Sequence, residues 1–296
     1  MNRPFGLPNR SSERVLDERI AQGWLPRGWI DGLTIANDTT DATNDISISP
    51  GVCRSTVNKA YVSAYTQGYS TEARHQRDIE IPATIIKQLD VAWAPAVPGG
   101  GGRSGGRTNG AISNTTWHVY AVGGGGMRDD VMLCDSVAQA TVLAALPGGY
   151  TAYRRIASVI RSSGAILGFV QAGDRFDLKD SVLNHNNTLA DSNAFSLALT
   201  VPNGIVVDAI LNVGLAHVGG SAAQILISAL SQTDEAASTT NATVCTNGNS
   251  TFIGSAVVRT NTSGQIRVRG AASAGIANAG VQVRTRGWFD HRGKDN

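Results

Sequence analysis

The sequence predicts a mostly β protein with two antiparallel β-sandwich or jelly-roll-like domains, preceded by an extended N-terminal arm that contains a short helix. The 296 residues exceed the usual size of one hydrophobic core, so two β domains are expected, with one large sandwich as the alternative. Charged residues make up 16% of the chain, against about 25% in an average soluble domain, and the 34 glycines exceed the typical share of about 7%. Short apolar runs separated by Gly, Asn, Asp and Pro recur along the chain, and tight turns between strands favour these residues.

Residues 1–30 form the predicted arm, and their composition differs from that of the rest of the chain. Prolines, arginines and two tryptophans are concentrated there, with little strand-like alternation. A short helix is expected from Ser12 to Gln22, because Leu16 and Ile20 share a face and Gly23 can end it. Such a helix is too short to be stable alone, so the arm is predicted to become ordered against another protein surface.

The arm is predicted to dock through basic, apolar and aromatic side chains, since Trp and Arg are the usual anchors of protein interfaces. A disordered terminus and an arm folded back onto its own domain are the alternatives. The predicted docking residues are Arg3, Phe5, Arg10, Arg14, Leu16, Ile20, Trp24 and Trp29.

The first β domain is predicted over residues 31–183. Leu33 and Ile35, and then Ile46 and Ile48, alternate with polar residues on either side of a turn-rich segment, which predicts a hairpin. Further along the chain, two more pairs of strand-like runs flank short turns. These predicted hairpins join Thr115–Val122 to Asp130–Ser136 and Ile156–Ile160 to Ala165–Gln171.

Three segments of the first domain have no clear strand pattern. Residues 57–69 carry tyrosines at a spacing of four, which suits both a helix and a strand, and a strand is slightly favoured. Ile85, Ile86 and Leu89 fit a short helix. Residues 95–110, with the sequence PAVPGGGGRSGGRTNG, are predicted to form a loop that has no fixed backbone without outside contacts.

The second β domain is predicted over residues 190–296. It follows a polar stretch from Asn184 to Asn193, which is expected to be a domain boundary or an inter-sheet loop. Six strand candidates separated by turn signals suit a sandwich or a jelly roll. The candidates are Phe195–Val201, Gly204–Val213, Gln224–Ser228, Thr251–Arg259, Gln265–Gly270 and Gly280–Phe289.

The sequence lacks the motifs that enzymatic and metal sites require. Cys53, Cys134 and Cys245 lie far apart with no Cys/His spacing, and the five histidines are scattered, so neither a zinc site nor another metal site is predicted. The glycine runs are not followed by Lys-Ser or Lys-Thr, and a G-x-S-x-G nucleophile motif is missing. The chain is therefore predicted to be non-enzymatic, with no catalytic residues and no cofactor.

Charge and hydropathy restrict the partners. The formal net charge of +2 is too balanced to predict nucleic-acid binding. Neither a signal peptide nor a stretch of about 18 apolar residues is found, so no membrane insertion is expected.

Four residues near the C-terminus are candidate contacts for a receptor or partner. Arg259, Arg267 and Arg269 flank a turn, and the last two are expected on one strand face, where they would grip an acidic partner or an anionic sugar. The commoner alternative is a solvated outer face. Trp288 is either a stacking platform or, as favoured, a plug of the core.

The stretch Leu146–Phe176 has the sequence LPGGYTAYRRIASVIRSSGAILGFVQAGDRF, in which a PxGYxxYRRIGS-like strand precedes a hairpin and a GDRF-like end. It resembles a segment of structural proteins of tailed bacteriophages, particularly proteins associated with the tail, collar and fibres. WHVYAV and DDVMLCDS look like the strand pair before that segment, and TNDISISPG is similar to an earlier hairpin. VRTNTSGQIRVR followed by TRGWFDHRG is similar to a C-terminal pattern of the group. The departures are Ala157, where the family segment often has Gly, and the stretch at 95–110, which looks like an insertion.

The resemblance implies a non-enzymatic virion protein that docks through its N-terminal arm and projects β domains. It implies homo-oligomers, with a trimer favoured, attached to other tail, collar or baseplate proteins, and a host-surface glycan is a further candidate partner. A capsid decoration or head-fibre protein is the alternative location, and a carbohydrate-binding module or depolymerase is the alternative class. The implied localisation is the virion, assembled in the cytoplasm of the host bacterium.

Overall fold

The structure, a computed structural model, describes residues 28–56, 77–97, 101–124, 126–189, 192–217, 222–272, 279–292 and 294. Of the described residues, 58% lie in strands and 3% in a helix, which confirms the predicted mostly β class. The helix expected from Ser12 to Gln22 and the tyrosine-bearing segment at 57–69 fall outside the described residues, as do the predicted docking residues other than Trp29.

The described residues form twenty strands and one helix. In chain order the strands are β1 (Ile30–Gly32), β2 (Ile35–Asn37), β3 (Asp45–Ile48), β4 (Gly51–Arg54), β5 (Asp78–Ile81), β6 (Ile85–Ala92), β7 (Arg103–Arg107), β8 (Thr116–Gly124), β9 (Met127–Cys134), β10 (Ala152–Ser162), β11 (Ala165–Ile166), β12 (Phe169–Ala172), β13 (Arg175–Thr188), β14 (Phe195–Ala198), β15 (Asp208–His217), β16 (Ala223–Ser228), β17 (Val244–Thr246), β18 (Ser250–Arg259), β19 (Gln265–Ala272) and β20 (Ala279–Phe289). The helix α1 spans Gln139–Ala145.

The strands divide into two groups that pair only among themselves. The N-terminal sheets contain β1–β11, in a three-stranded sheet of order β1-β4-β5 and an eight-stranded sheet of order β11-β10-β8-β9-β7-β6-β3-β2. The C-terminal sheets contain β12–β20, in a five-stranded sheet of order β12-β13-β20-β15-β18 and a four-stranded sheet of order β14-β19-β16-β17. Among the described strands, pairing is antiparallel except that β7 runs parallel to both neighbours, β6 and β9.

The division between the two groups of paired strands lies between Ile166 and Phe169. The domains predicted from the sequence were 31–183 and 190–296. Strand β13 continues to Thr188 and pairs with β20, so the polar residues there belong to a strand of the C-terminal sheets. Their polarity reflects exposure on an outer sheet face, which sequence alone does not distinguish from a loop.

Strand β6 replaces the short helix that was expected around Ile85, Ile86 and Leu89. Ile85, Lys87 and Leu89 are buried along one face of this strand. The sequence conceals this alternation because a charged residue, Lys87, occupies an inward position. Its ammonium nitrogen lies 3.0 Å from a carboxylate oxygen of Asp130, which is also buried.

Strand β7 lies inside the stretch 95–110 that was expected to be a loop. A Cβ atom added to Gly105 would lie 1.7 Å from the carbonyl oxygen of Ala92, and one added to Gly106 would lie 2.3 Å from the side chain of Leu133. Glycine within a strand often marks such close approach of a neighbouring backbone. The glycines therefore permit β7 to fit between its neighbours in the eight-stranded sheet.

Two of the predicted hairpins are confirmed in full. The third is confirmed only next to its turn, where β10 pairs with β11, because β12 pairs with β13 instead. Strands β2 and β3 pair with Ile35 opposite Ile48, and β8 pairs with β9 with His118 opposite Cys134. Helix α1, which follows β9, was not expected from the sequence. Its residue Val142 is buried in a small cluster with aromatic residues of β8 and β10.

The main hydrophobic core is continuous across both groups of sheets. One cluster of buried side chains includes Trp117 and Val159 of the N-terminal sheets together with Leu211, Val283 and Trp288 of the C-terminal sheets. Burial of this shared apolar surface is the main stabilising term for the arrangement of the two groups. Within the described part of the chain, no helix has the length and apolar character needed to cross a membrane.

Candidate functional site

The first described residues show where the predicted arm joins the body of the protein. The carbonyl oxygen of Gly28, which is buried, accepts a hydrogen bond of 3.0 Å from the guanidinium group of Arg154. The carbonyl oxygen of Trp29, a half-buried residue, accepts one of 3.0 Å from the backbone N–H of Arg54, and Ile30 begins β1. Residues 28 to 30, predicted as the end of the arm, therefore belong to the body.

A largely buried group of charged residues holds this junction. It consists of Arg154, Arg155, Asp290 and Arg292, and is called the anchoring network below. Arg155 donates two hydrogen bonds to the carboxylate of Asp290, of 2.6 and 2.8 Å, one to each oxygen. This bidentate arrangement is the strongest geometry of an arginine–carboxylate pair. It connects β10 of the N-terminal sheets with the segment that follows β20.

The two other arginines of the anchoring network bind backbone carbonyl oxygens. Arg292 donates to the carbonyl oxygens of Ile156, at 2.8 Å, and Leu33, at 2.7 Å. Arg154 donates to the carbonyl oxygen of Arg292 at 3.0 Å, in addition to that of Gly28. Residues near the C-terminal end of the described chain thus fix the residues at its N-terminal end.

The electrostatics of the anchoring network keep Asp290 ionised. Burial by itself raises the pKa of this carboxyl, but the charge of Arg155 and hydrogen bonds from Arg155 and Arg292 outweigh it, so the pKa lies below its ordinary value. Burial lowers the pKa of both Arg154 and Arg292. Guanidinium groups nevertheless stay charged near neutral pH. Their charge is solvated by carbonyl oxygens in place of water.

His118 lies next to the anchoring network and is neutral. Burial lowers its pKa to about 3, and the charge of Arg155 contributes in the same direction. Its Nδ1 shares a hydrogen bond of 2.8 Å with the hydroxyl of Ser158, which also accepts from Arg155 at 3.1 Å. This arrangement holds side chains in place and offers no group that changes its protonation near neutral pH.

The structure separates one of the three candidate contact arginines, Arg259 in the five-stranded sheet, from Arg267 and Arg269 in the four-stranded sheet. Arg259 is exposed at the end of β18 and forms an ion pair of 3.1 Å with Asp208. Arg267 and Arg269 lie on the same face of β19, as expected, and both approach Asp234, at 3.9 and 3.1 Å. Arg267 also donates to backbone carbonyl oxygens at residues 229–232. This pair of arginines therefore fastens a loop of its own chain.

Trp288 is a core residue. Only 1% of it is exposed, and its ring stacks on that of Phe176 with a centroid distance of 5.5 Å and an interplanar angle of 6°. The placement agrees with the plug that the sequence analysis favoured and leaves no surface for stacking a ligand.

The anchoring network was not predicted, although both of its halves lie in segments whose motifs the sequence analysis quotes. Arg154 and Arg155 belong to YTAYRRIAS, and Asp290 and Arg292 belong to TRGWFDHRG. The signal available in the sequence was the doubled arginine in an otherwise apolar strand. Its partner carboxylate is 135 residues away, and sequence spacing does not reveal such a contact.

Within the described residues, no group of three or more His, Cys, Asp or Glu side chains is arranged to hold a metal ion. The chain matches no protein-family model. A search of curated proteins finds no match either.

Proposed function

We propose that this chain is a structural, non-enzymatic component of a tailed phage particle, of the tail, collar or fibre type. In this proposal residues 1–27 dock on another virion protein and the β domains project from it. The single observation that supports a docking role is the anchoring network, which fixes Gly28, the first described residue after the N-terminal segment. A rigid attachment point lowers the entropic cost of ordering a segment on a partner.

The order of the C-terminal strands supports a jelly roll. Strands β13, β20, β15 and β18 lie side by side in one sheet, and β14, β19, β16 and β17 lie side by side in the other. Most steps from one of these eight strands to the next in sequence change sheet. An eight-stranded, two-sheet arrangement of this kind is the jelly-roll architecture, which occurs in viral capsid and lectin domains.

We further propose that the protein forms a homo-oligomer, with a trimer favoured. Strand β18 supports this, because it is a ten-residue edge strand whose ladder with β15 has no bulge. Ile253 is 76% exposed and Val257 61% exposed on this edge. Long apolar edges of this kind invite pairing with another chain unless they are covered. Addition of a second copy at the edge would extend the sheet.

The experiment that tests the docking role is a deletion of residues 1–27, leaving Gly28 and the anchoring network intact. The truncated protein is expected to fold with an unchanged melting temperature and to be absent from purified particles, as measured by mass spectrometry of particles made from the genome that encodes it. Normal incorporation of the truncated protein would contradict the proposal. A full-length chain with Asp177→Asn, at an exposed position outside the proposed docking segment, is the matched control and is expected to be incorporated.

Imaging of particles with a labelled C-terminus separates the proposed locations. Label at the tail, collar or baseplate supports the proposal, whereas label over the capsid lattice identifies a decoration or head-fibre protein. Release of saccharide from host envelopes by the purified protein would contradict the non-enzymatic assignment.

A further inference from the structure

A pocket of about 240 Å³ opens on the outer face of the five-stranded C-terminal sheet. It is lined by residues of the four adjacent strands β13, β20, β15 and β18. The anchoring network and the candidate contact arginines contribute nothing to its lining. The pocket is therefore separate from the proposed docking role.

Four planar polar side chains surround the pocket. Asn212 stands opposite Arg284 in the ladder of β15 with β20, and Asn186 stands opposite Gln282 in the ladder of β13 with β20. Opposite residues of an antiparallel pair project from the same face, with Cβ atoms about 4.5–5.5 Å apart. In the part of the chain that the structure describes, none of these four side chains has a hydrogen-bond or ion-pair partner. Their donors and acceptors are available to a ligand.

The floor of the pocket is made of small residues in strand interiors. Gly214, Ala216 and Gly280 lie next to one another on β15 and β20. A Cβ atom added to Gly214 would meet only the Cβ of Gln282, at 3.6 Å, which is an ordinary contact. Packing therefore does not require glycine at this position. Glycine in a strand interior reduces stability, and it often marks a site where a ligand approaches the backbone closely.

We propose that this pocket binds a saccharide, with an acidic sugar set against Arg284. Asparagine and glutamine amides both donate and accept hydrogen bonds, as do the hydroxyl groups of a sugar ring. Ile253, opposite Gly214 in the ladder with β18 and 76% exposed, provides an apolar wall for the C–H face of the ring. Arg284 is a cation without a protein carboxylate partner among the described residues, so a sugar carboxylate supplies the complementary charge.

The size of the pocket suits one sugar ring of a longer chain. Its volume is below the range of about 300–1,000 Å³ that is typical of pockets for drug-sized ligands. The remainder of an oligosaccharide would lie along the exposed sheet face. This proposal rests on the sheet face alone and stands whether or not the chain is a virion component.

The test is binding of the purified full-length chain to an array of bacterial oligosaccharides with and without uronic or sialic acid. We expect retention of acidic oligosaccharides, with binding that weakens as salt is raised because the contact with Arg284 is screened. The best binder is then titrated by calorimetry against variants of the pocket. Arg284→Gln is expected to lower the affinity for an acidic oligosaccharide about tenfold and to leave the affinity for its neutral analogue nearly unchanged.

A second variant fills the pocket without removing a hydrogen-bonding group. Gly214→Val places a branched side chain over the floor and is expected to abolish binding of acidic and neutral oligosaccharides alike. The matched control is Ser196→Val, at an exposed strand position of the four-stranded sheet, which is expected to bind as the unaltered protein does. Melting temperatures confirm that both variants fold.

Three outcomes would overturn the proposal. The first is that no oligosaccharide on the array is retained. The second is that binding persists unchanged in Gly214→Val. The third is capture of short peptides from a random library in a manner blocked by Gly214→Val, with no saccharide bound, which would assign the face to a protein partner.

Discussion

Arg155 and Asp290 form a bidentate ion pair that joins the two groups of sheets, with N–O distances of 2.6 and 2.8 Å. Both side chains are largely buried, at 10% and 1% exposed. A buried pair of this kind contributes little net stability compared with apolar packing, but the loss of one partner leaves an uncompensated charge in the interior. The pair therefore fixes the relative position of the elements it joins.

The Asp290→Asn variant is predicted to lower the free energy of unfolding by about 3–5 kcal/mol, because the charge of Arg155 remains buried without its counter-ion. Urea denaturation followed by tryptophan fluorescence measures the change. Asp177→Asn is the control, since Asp177 forms an exposed pair with Arg175, and such pairs contribute about 0–1 kcal/mol. Equal effects of the two substitutions would refute the role of the buried pair.

The stabilising contribution of Asp290 depends on pH. Because its pKa is lower in the folded protein than in the unfolded chain, the contribution is complete above the unfolded pKa of about 4 and is lost as the pH falls through the folded value. Unfolding free energies measured from pH 7 down to pH 2 are therefore expected to fall steeply below about pH 4. In Asp290→Asn, this part of the acid dependence is expected to be missing.

Asp45 is predicted to have the opposite pH dependence, so that its contribution to stability decreases as the pH rises. Burial raises its pKa to about 6, against the attraction of Arg103, whose guanidinium lies 3.1 Å from its carboxylate. The folded protein then holds a proton that the unfolded chain has released, so stability falls as the pH rises from about 4 to 6. Asp45→Asn is expected to remove this decline and to leave the protein at least as stable at pH 7.5. Asp31→Asn, at an exposed position, is expected to retain the decline when thermal unfolding is followed over this range.

The contributions of Lys87 and Asp130, a buried ion pair, to the free energy of unfolding are predicted to depend strongly on each other. Lys87 also donates to the carbonyl oxygen of Ala94 at 2.8 Å and lies 5.1 Å from the centre of the ring of Trp93. Lys87→Met and Asp130→Asn are each expected to cost about 3–5 kcal/mol, since each leaves the other partner unpaired. The loss of unfolding free energy in the double variant is expected to be smaller than the sum of the two single losses, by more than about 1 kcal/mol. Additive losses in denaturant titrations would show that the pair does not act as a unit.

The fit of β7 is tested by adding a methyl group to Gly105. Gly105→Ala is predicted to lower stability by at least about 1–3 kcal/mol, because the added Cβ would overlap the carbonyl oxygen of Ala92. Gly148→Ala is the control, as an added Cβ meets no atom within 4 Å there. Melting temperatures compare the two variants. An unchanged melting temperature for Gly105→Ala would mean that residues 95–110 are a loop after all.

The features that the sequence predicted correctly are local. The hairpins β2–β3 and β8–β9 were found because each joins nearby runs with period-two alternation across a turn. Strand β7 was missed because its glycines carry no alternation and its partners, β6 and β9, bind it in parallel through non-local contacts. Strand β6 was misassigned because Lys87 interrupts its apolar face.

The candidate sites were beyond prediction for the same reason. The anchoring network depends on contacts across 126 residues or more, and the four planar polar side chains of the sheet pocket come from three strands that only the fold brings together. The position of a single residue within its strand, by contrast, was informative. Trp288 was favoured as a core residue from its place at the end of an alternating strand, and it is buried.

The hydrogen bond from Arg292 to the carbonyl oxygen of Gly32 spans 260 residues of sequence. On a ribosome, Gly32 is synthesised long before Arg292, so this hydrogen bond forms only after the distant arginine has emerged. A chain that ends before Arg292 would leave the carbonyl oxygens of Gly32 and Leu33 without the guanidinium group that binds them.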